Sequence, residues 1–209
     1  MTQPMDLYFF PTPNGWKVSV ALEEMNLPYR VHRVNILQGE QFAADYTEIS
    51  PNQKIPALVD PDGPGGQPIQ LFESGAILMY LGRKTGQFYP TTPREQLLVE
   101  QWLMWQMGGL GPMLGQNHHF AHFAPLKLPY AQDRYIKETR RLYGVMDRQL
   151  ATQDYLAGQY SIADMACVGW VSVWERQGLR LTDFPNVERW LARLMSRPGV
   201  QRGLALGRG

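Results

Sequence analysis

Residues 6–10 form a short apolar run of the kind that makes a buried strand, and Pro11-Thr12-Pro13-Asn14-Gly15 follows as turn chemistry, with Asn14 suited to a turn or helix cap. Val18, Ala21, Leu22 and Met25 then recur at i, i+3, i+4 and i+7, one face of an amphipathic helix that Pro28 ends. Residues 29–35, rich in β-branched and aromatic side chains, read as a second strand, and a short helix is expected over 41–48. Residues 57–60 and 69–72 look like two strands of a hairpin around Asp62-Gly63-Pro64-Gly65-Gly66. Ser74 is placed to cap a helix whose apolar stripe is Ile77, Leu78 and Leu81. The order βαβ then ββα predicts a small mixed sheet with helices on its faces, an α/β domain over residues 1–86.

The pattern then changes. Residues 86–93 carry Gly86, Pro90 and Pro93 and read as a linker. Beyond them nothing alternates like a strand, while 94–107, 130–150, 162–177 and 187–195 all show helical spacing, so residues 94–209 are expected to form an all-α domain. Ser161 followed by Asp164 fits a capping box with Asp in place of the usual Glu, ahead of an apolar run. No internal repeat is visible.

Composition narrows the function classes. The 209 residues are 44% hydrophobic and 19% charged, enough to bury a sizeable core. A net charge of +1 without a charged block gives no reason to invoke nucleic acid or an anionic membrane. A single cysteine, Cys167, excludes a disulfide framework, and its apolar helical context reads as a buried, inert thiol. The first ten residues lack the pattern of a secretory leader, and no stretch approaches the roughly 20 apolar residues that span a bilayer. A soluble protein of a reducing cytoplasm is the expectation.

Three segments carry candidate chemistry. In Pro51-Asn52-Gln53-Lys54-Ile55-Pro56 a proline stands at the mouth of a strand; an ordinary edge strand is the plainer reading. The functional one is a cis-Pro56 that turns the Ile55 backbone outward to pair with an extended peptide. In Leu71-Phe72-Glu73-Ser74-Gly75, Ser74 and the helix N–H groups could hold a carboxylate and Glu73 a neighbouring ammonium, the two ends of an α-amino acid. In Thr12-Pro13-Asn14-Gly15, a hydroxyl, an amide and a positive helix end converge where they would favour a thiolate. No cysteine lies in that turn, so the thiol would come from a ligand. His118, His119 and His122 raise a metal site, but only two share a helical face and no carboxylate or cysteine is near, so no metal is expected. Tyr8 lies inside its strand and reads as packing.

Together with the Ser161-Ile162-Ala163-Asp164 helix start, these segments resemble the glutathione transferase superfamily across essentially the whole chain. Thr12-Pro13-Asn14-Gly15, Gly39-Glu40-Gln41-Phe42 and the run from Gly108 through Gly111-Pro112 and His118-His119 to Phe120 resemble the bacterial nu-class proteins, glutathione-dependent disulfide-bond oxidoreductases. The resemblance implies a thioredoxin-like N-terminal domain and a helical C-terminal one. It also implies that Thr12 and Asn14 sit by the glutathione sulfur, and that Ile55, before Pro56, pairs with the cysteinyl backbone. Glu73 and Ser74 would hold the γ-glutamyl end, Gln41 and Lys54 would contact the tripeptide, and Arg134 would reach the site, even from a partner subunit. One or two glutathione molecules, or the disulfide, would bind without a metal. The partners implied are small thiols or disulfides and a second subunit in a homodimer. Conjugation of glutathione to electrophiles, with Phe120, Phe123 and Trp102 walling the acceptor site, and a non-catalytic binding module stay open as alternatives.

Overall fold

The computed structural model describes residues 3–207; the ends of the expected domains, at residues 1–2 and 208–209, lie outside it. The chain forms two compact units, Met1–Gln87 together with Arg197–Gly209, and Phe88–Ser196. The expected second domain, 94–209, therefore differs from the observed unit at its end: the last segment clusters with the first unit.

The first unit is built on four strands, β1 (Met5–Phe9), β2 (Tyr29–Arg33), β3 (Ala57–Asp60) and β4 (Ile69–Phe72), in the order β2-β1-β3-β4. β1 and β2 are parallel, while β3 runs antiparallel to both β1 and β4. Helix α1 (Pro13–Glu24) bridges the parallel pair, α2 (Ala44–Ile49) leads to β3, and α3 (Ser74–Thr85) follows β4. This is the βαβ-ββα order expected from the pattern, and the thioredoxin-like domain that the resemblance implied. Strand alternation splits β1 between two faces: Leu7 and Phe9 are buried toward α1, and Tyr8 points to the other face, where it packs on the cluster of Val34, Tyr46 and Ala57.

Two caps differ from the expected ones. Thr12, not Asn14, caps α1, its hydroxyl accepting from Gly15 N at 3.2 Å, because Pro13 takes the first helical position, where a missing N–H costs nothing. Glu73, not Ser74, is the N-cap residue of α3; its φ of 69° turns the chain sharply out of β4, and Ser74 becomes the first helical residue. At the other end Gly86 closes α3 in the left-handed conformation.

The second unit is helical: α4 (Pro93–Trp105), α5 (Gly111–His118), α6 (Pro129–Leu150), α7 (Ile162–Val171) and α8 (Pro185–Met195). Every residue of α7 is buried, as its nearly all-apolar sequence requires. The helix expected over 162–177 stops at Val171 and resumes as a tight turn at Trp174–Gln177; the Ser172 hydroxyl donates to Gly169 O at 3.0 Å, satisfying a carbonyl at the helix end. The pattern placed no helix between 108 and 129, yet α5 lies there, flanked by two π-helical turns, Gln106–Leu110 and His119–Phe123. The glycines and proline of this run hid it, while Leu110 and Leu114 bury its inner face. The C-terminal helix α9 (Pro198–Ala205), also unexpected, packs on α1 in the first unit. No helix among the described residues is long and apolar enough to cross a membrane.

Candidate functional site

Strand register puts three of the candidate segments at one end of the sheet. Tyr8 near the end of β1 pairs with Ala57 at the start of β3, and Ala57 pairs with Phe72 at the end of β4. The first turn of α1, the loop before β3 and the start of α3 therefore all rise from the same edge. Ile55–Pro56 is a cis peptide, and neither the N–H nor the C=O of Ile55 has a hydrogen-bond partner among the described residues. The loop that presents it is held from behind: Tyr46 and Ser50 both donate to Lys54 O, at 2.6 and 3.0 Å. Burial pushes the Tyr46 phenol up to about 12, so it stays a donor across the physiological range.

Lys17, which sequence reading missed, ties α1 to α3. It is almost fully buried, and its ammonium donates to the equally buried Ser74 Oγ at 3.3 Å. Its spacing of four from Ala21 was the available signal, since it puts a charge on the apolar face of α1. Neither α1 nor α3 carries an acidic residue in its first turn, so two positive helix ends and a buried ammonium meet in this part of the unit. Glu73 is exposed and accepts from Asn52 Nδ2 at 3.5 Å. Lys54 is exposed. Gln41, on the turn Glu40–Phe42, has a buried Oε1 that accepts no hydrogen bond among the described residues, an arrangement costing about 1–3 kcal/mol unless a donor arrives from elsewhere. Gln53 is turned away, its amide donating to Thr47 Oγ1 at 3.2 Å.

Arg134 lies in the second unit, exposed on α6, where it lines a groove of about 560 Å³ with Met113, Tyr130 and Lys137. The other residues expected to contact glutathione belong to the first unit. Tyr8 stacks on His32 with ring centroids 4.8 Å apart, and burial followed by the nearby carboxylates of Asp6 and Asp45 raises its phenol, the opposite of what an activating phenol needs. Cys167 is buried and in no disulfide. His118 and His122 meet edge to face at 5.0 Å, and His122 Nε2 donates to Arg176 O at 2.7 Å; no group of three His, Cys, Asp or Glu that could hold a metal occurs among the described residues.

Known proteins extend this picture. Residues 3–83 match the glutathione S-transferase N-terminal domain and residues 116–198 the C-terminal domain. The chain is 52% identical over 202 residues to the disulfide-bond oxidoreductase YfcG of Escherichia coli, covering 96% of this chain and 94% of the relative. It is 38% identical to YghU of the same organism, another disulfide-bond oxidoreductase, over 98% of this chain and 75% of that one. A solved glutathione transferase from Pseudomonas putida, holding one glutathione disulfide per subunit, superposes with a TM-score of 0.93 at 46% identity, covering 97% of this chain and 91% of its own. One from Burkholderia graminis, with two glutathione molecules per subunit, gives 0.93 at 45% identity, covering 99% and 90%. Matched in both halves and by full-length relatives, the chain belongs to the glutathione S-transferase family.

Proposed function

We propose that this protein is a glutathione-dependent disulfide-bond oxidoreductase of the nu-class type. The observation that carries the reading is the shared edge of the sheet: an Ile55 peptide unpaired among the described residues, a Lys17–Ser74 pair and two helices with no acid in the first turn lie there, and no cysteine is among them. The residues fit glutathione in kind. Ile55 offers one donor and one acceptor to an extended backbone. Ser74, polarised by Lys17, and the α3 N–H groups suit the γ-glutamyl carboxylate, with Glu73 for its ammonium. Gln41 and Lys54 contact the remainder of the tripeptide, and Arg134 belongs to the same site in the assembled protein.

Bound glutathione supplies the reactive thiol, and in two exchanges two thiols become one glutathione disulfide while the substrate disulfide becomes two thiols. Thr12, Asn14 and the first turn of α1 hold the sulfur as thiolate and in line, which raises both its reactive fraction and the frequency of productive geometry. Asn14 supplies the side-chain amide toward the sulfur, and the helix end supplies partial positive charge.

The exposed apolar side chains of α4, Leu97, Leu98 and Met104, together with Tyr130 on α6, support a homodimer. A thiol-dependent reductase also fits a reducing cytoplasm. The test is turnover of a small disulfide beside turnover of an aryl halide, each with glutathione. Disulfide reduction that dominates, needs added thiol and survives Cys167→Ser is expected. Dominant aryl-halide conjugation, turnover without thiol, or loss on Cys167→Ser in a folded protein would each defeat the reading.

A further inference from the structure

α1 carries the proposed sulfur site on its first turn, and helix first turns are held by few bonds of their own. Here the side-chain cap supplies one, Gly15 N to Thr12 Oγ1 at 3.2 Å. The C-terminal segment supplies a second set along the whole length of the helix. At the far end Glu24, its side chain only 4% exposed, accepts from Val200 N at 3.1 Å and from Arg197 Nε at 2.8 Å. Beside it Arg202 pairs with Glu23 at 2.6 Å. Midway, Ser19 Oγ donates to Gly203 O at 2.7 Å, and the backbones touch so closely that a Cβ on Gly203 would lie 2.5 Å from Val20 Cα. At the near end, within the first turn region, the buried Trp16 donates from Nε1 to Leu206 O at 3.3 Å. Gly207, at φ 72°, lies against the residues leading into that turn: a Cβ there would stand 3.2 Å from both Phe9 and Pro11.

We infer that α9 and its tail are a positioning element of the thiol site, with Trp16 and the Leu206 carbonyl fixing the turn that carries Thr12 and Asn14. This rests on the glutathione reading above. Electrostatic stabilisation of a thiolate depends on donors already aimed at the charge, and a displacement of a few tenths of an ångström weakens it while leaving the rest of a bound ligand in place. The tripeptide backbone is held by Ile55 and its ammonium by Glu73, neither of which is bonded to the tail among the described residues. Loosening the tail therefore separates two quantities that general destabilisation would move together.

The experiment compares Trp16→Phe, which keeps an aromatic side chain but deletes the N–H together with the five-membered ring, with a deletion from Leu206 onward and with Gly207→Ala. For each, kcat and KM for glutathione are measured in disulfide reduction, and the pKa of the bound thiol is read from the pH dependence of the rate and from thiolate absorbance. The expected result is kcat lowered about three- to tenfold with KM within about twofold, and the thiol pKa displaced upward. Gly207→Ala, which lies outside α1, carries the test if Trp16→Phe does not fold. Unchanged kcat and thiol pKa in the folded variants, or kcat and KM worsening in parallel, would overturn the inference. Asn14→Ala is the control: if it too leaves thiol pKa and kcat untouched, the sulfur site itself is misplaced. If Asn14→Ala slows the enzyme and the tail variants do not, only the positioning role fails.

Discussion

Two helix starts in this protein solve the same electrostatic problem in opposite ways. α7 brings its own anion. Ser161 Oγ accepts from Ala163 N at 3.3 Å, Asp164 Oδ2 accepts from Ser161 N at 3.1 Å, and Asp164 Oδ1 accepts from Leu156 N and from Trp190 Nε1 at 3.0 and 2.8 Å. The carboxylate is wholly buried, and that burial pushes its pKa up to about 6 against the pull of those hydrogen bonds. The α1 start has a hydroxyl cap, a proline and an asparagine, and no acid in its first turn. The first arrangement is closed and serves the fold; the second has no carboxylate in its first turn, and it is there that the proposed reading puts the ligand's thiolate. A helix N-terminus reads as architecture when a carboxylate in its first turn closes it, and as a site when neighbouring segments converge on it and its first turn holds none.

The sharpest way to break this contrast is Asp164→Ala. It strips acceptors from Trp190, Leu156 and Ser161 inside the core, and a loss of about 3–5 kcal/mol in denaturant unfolding is expected. A loss below about 1 kcal/mol would mean that the closed start is not structural. Asn14→Ala probes the other side: turnover should fall roughly 10- to 100-fold while glutathione affinity by calorimetry changes less than about threefold. Stability should shift by less than about 1 kcal/mol, and equal losses in binding and turnover would remove Asn14 from the thiolate.

Asp60 sharpens the comparison more gently, as a buried carboxylate on a strand. Burial alone would raise its pKa, but hydrogen bonds from Tyr80 at 2.5 Å and from Lys84 outweigh it and hold the carboxyl below its ordinary 3.8. A depressed folded pKa contributes stability above the unfolded value and loses it as pH falls through the folded one. Wild type should therefore exceed Asp60→Asn by about 1–2 kcal/mol at neutral pH, the gap closing below roughly pH 4 in urea titrations. A gap that held constant down to acid pH would show that the charge plays no part.

Much of this was legible because local signals agreed with tertiary ones. β1, β3 and β4 followed from apolar runs and turn residues, and the Ser161–Asp164 box from its spacing. Pro56 stood out at a strand mouth, and its peptide is cis. What escaped was decided by packing. α5 carries helix-weakening glycines and Pro112, yet Gly111 sits where packing is tight: a Cβ there would meet the Gln106 amide at 2.6 Å. α9 carries Pro198, Gly199 and Gly203, which give no helical signal, and the close approach to α1 explains both glycines. Lys17 escaped because a burying partner 57 residues away cannot be read from periodicity.

The return of residues 197–207 to α1 also bears on how the molecule comes into being. The first unit is discontinuous, so a chain still emerging from the ribosome holds the sheet and α1 well before it holds the helix that covers Val20 and engages Glu24. Until the last turn is made, one flank of α1 stays wet. The second unit, drawn from a single stretch of chain, can mature in the interval, and the first unit is completed only after the whole of the second has been made.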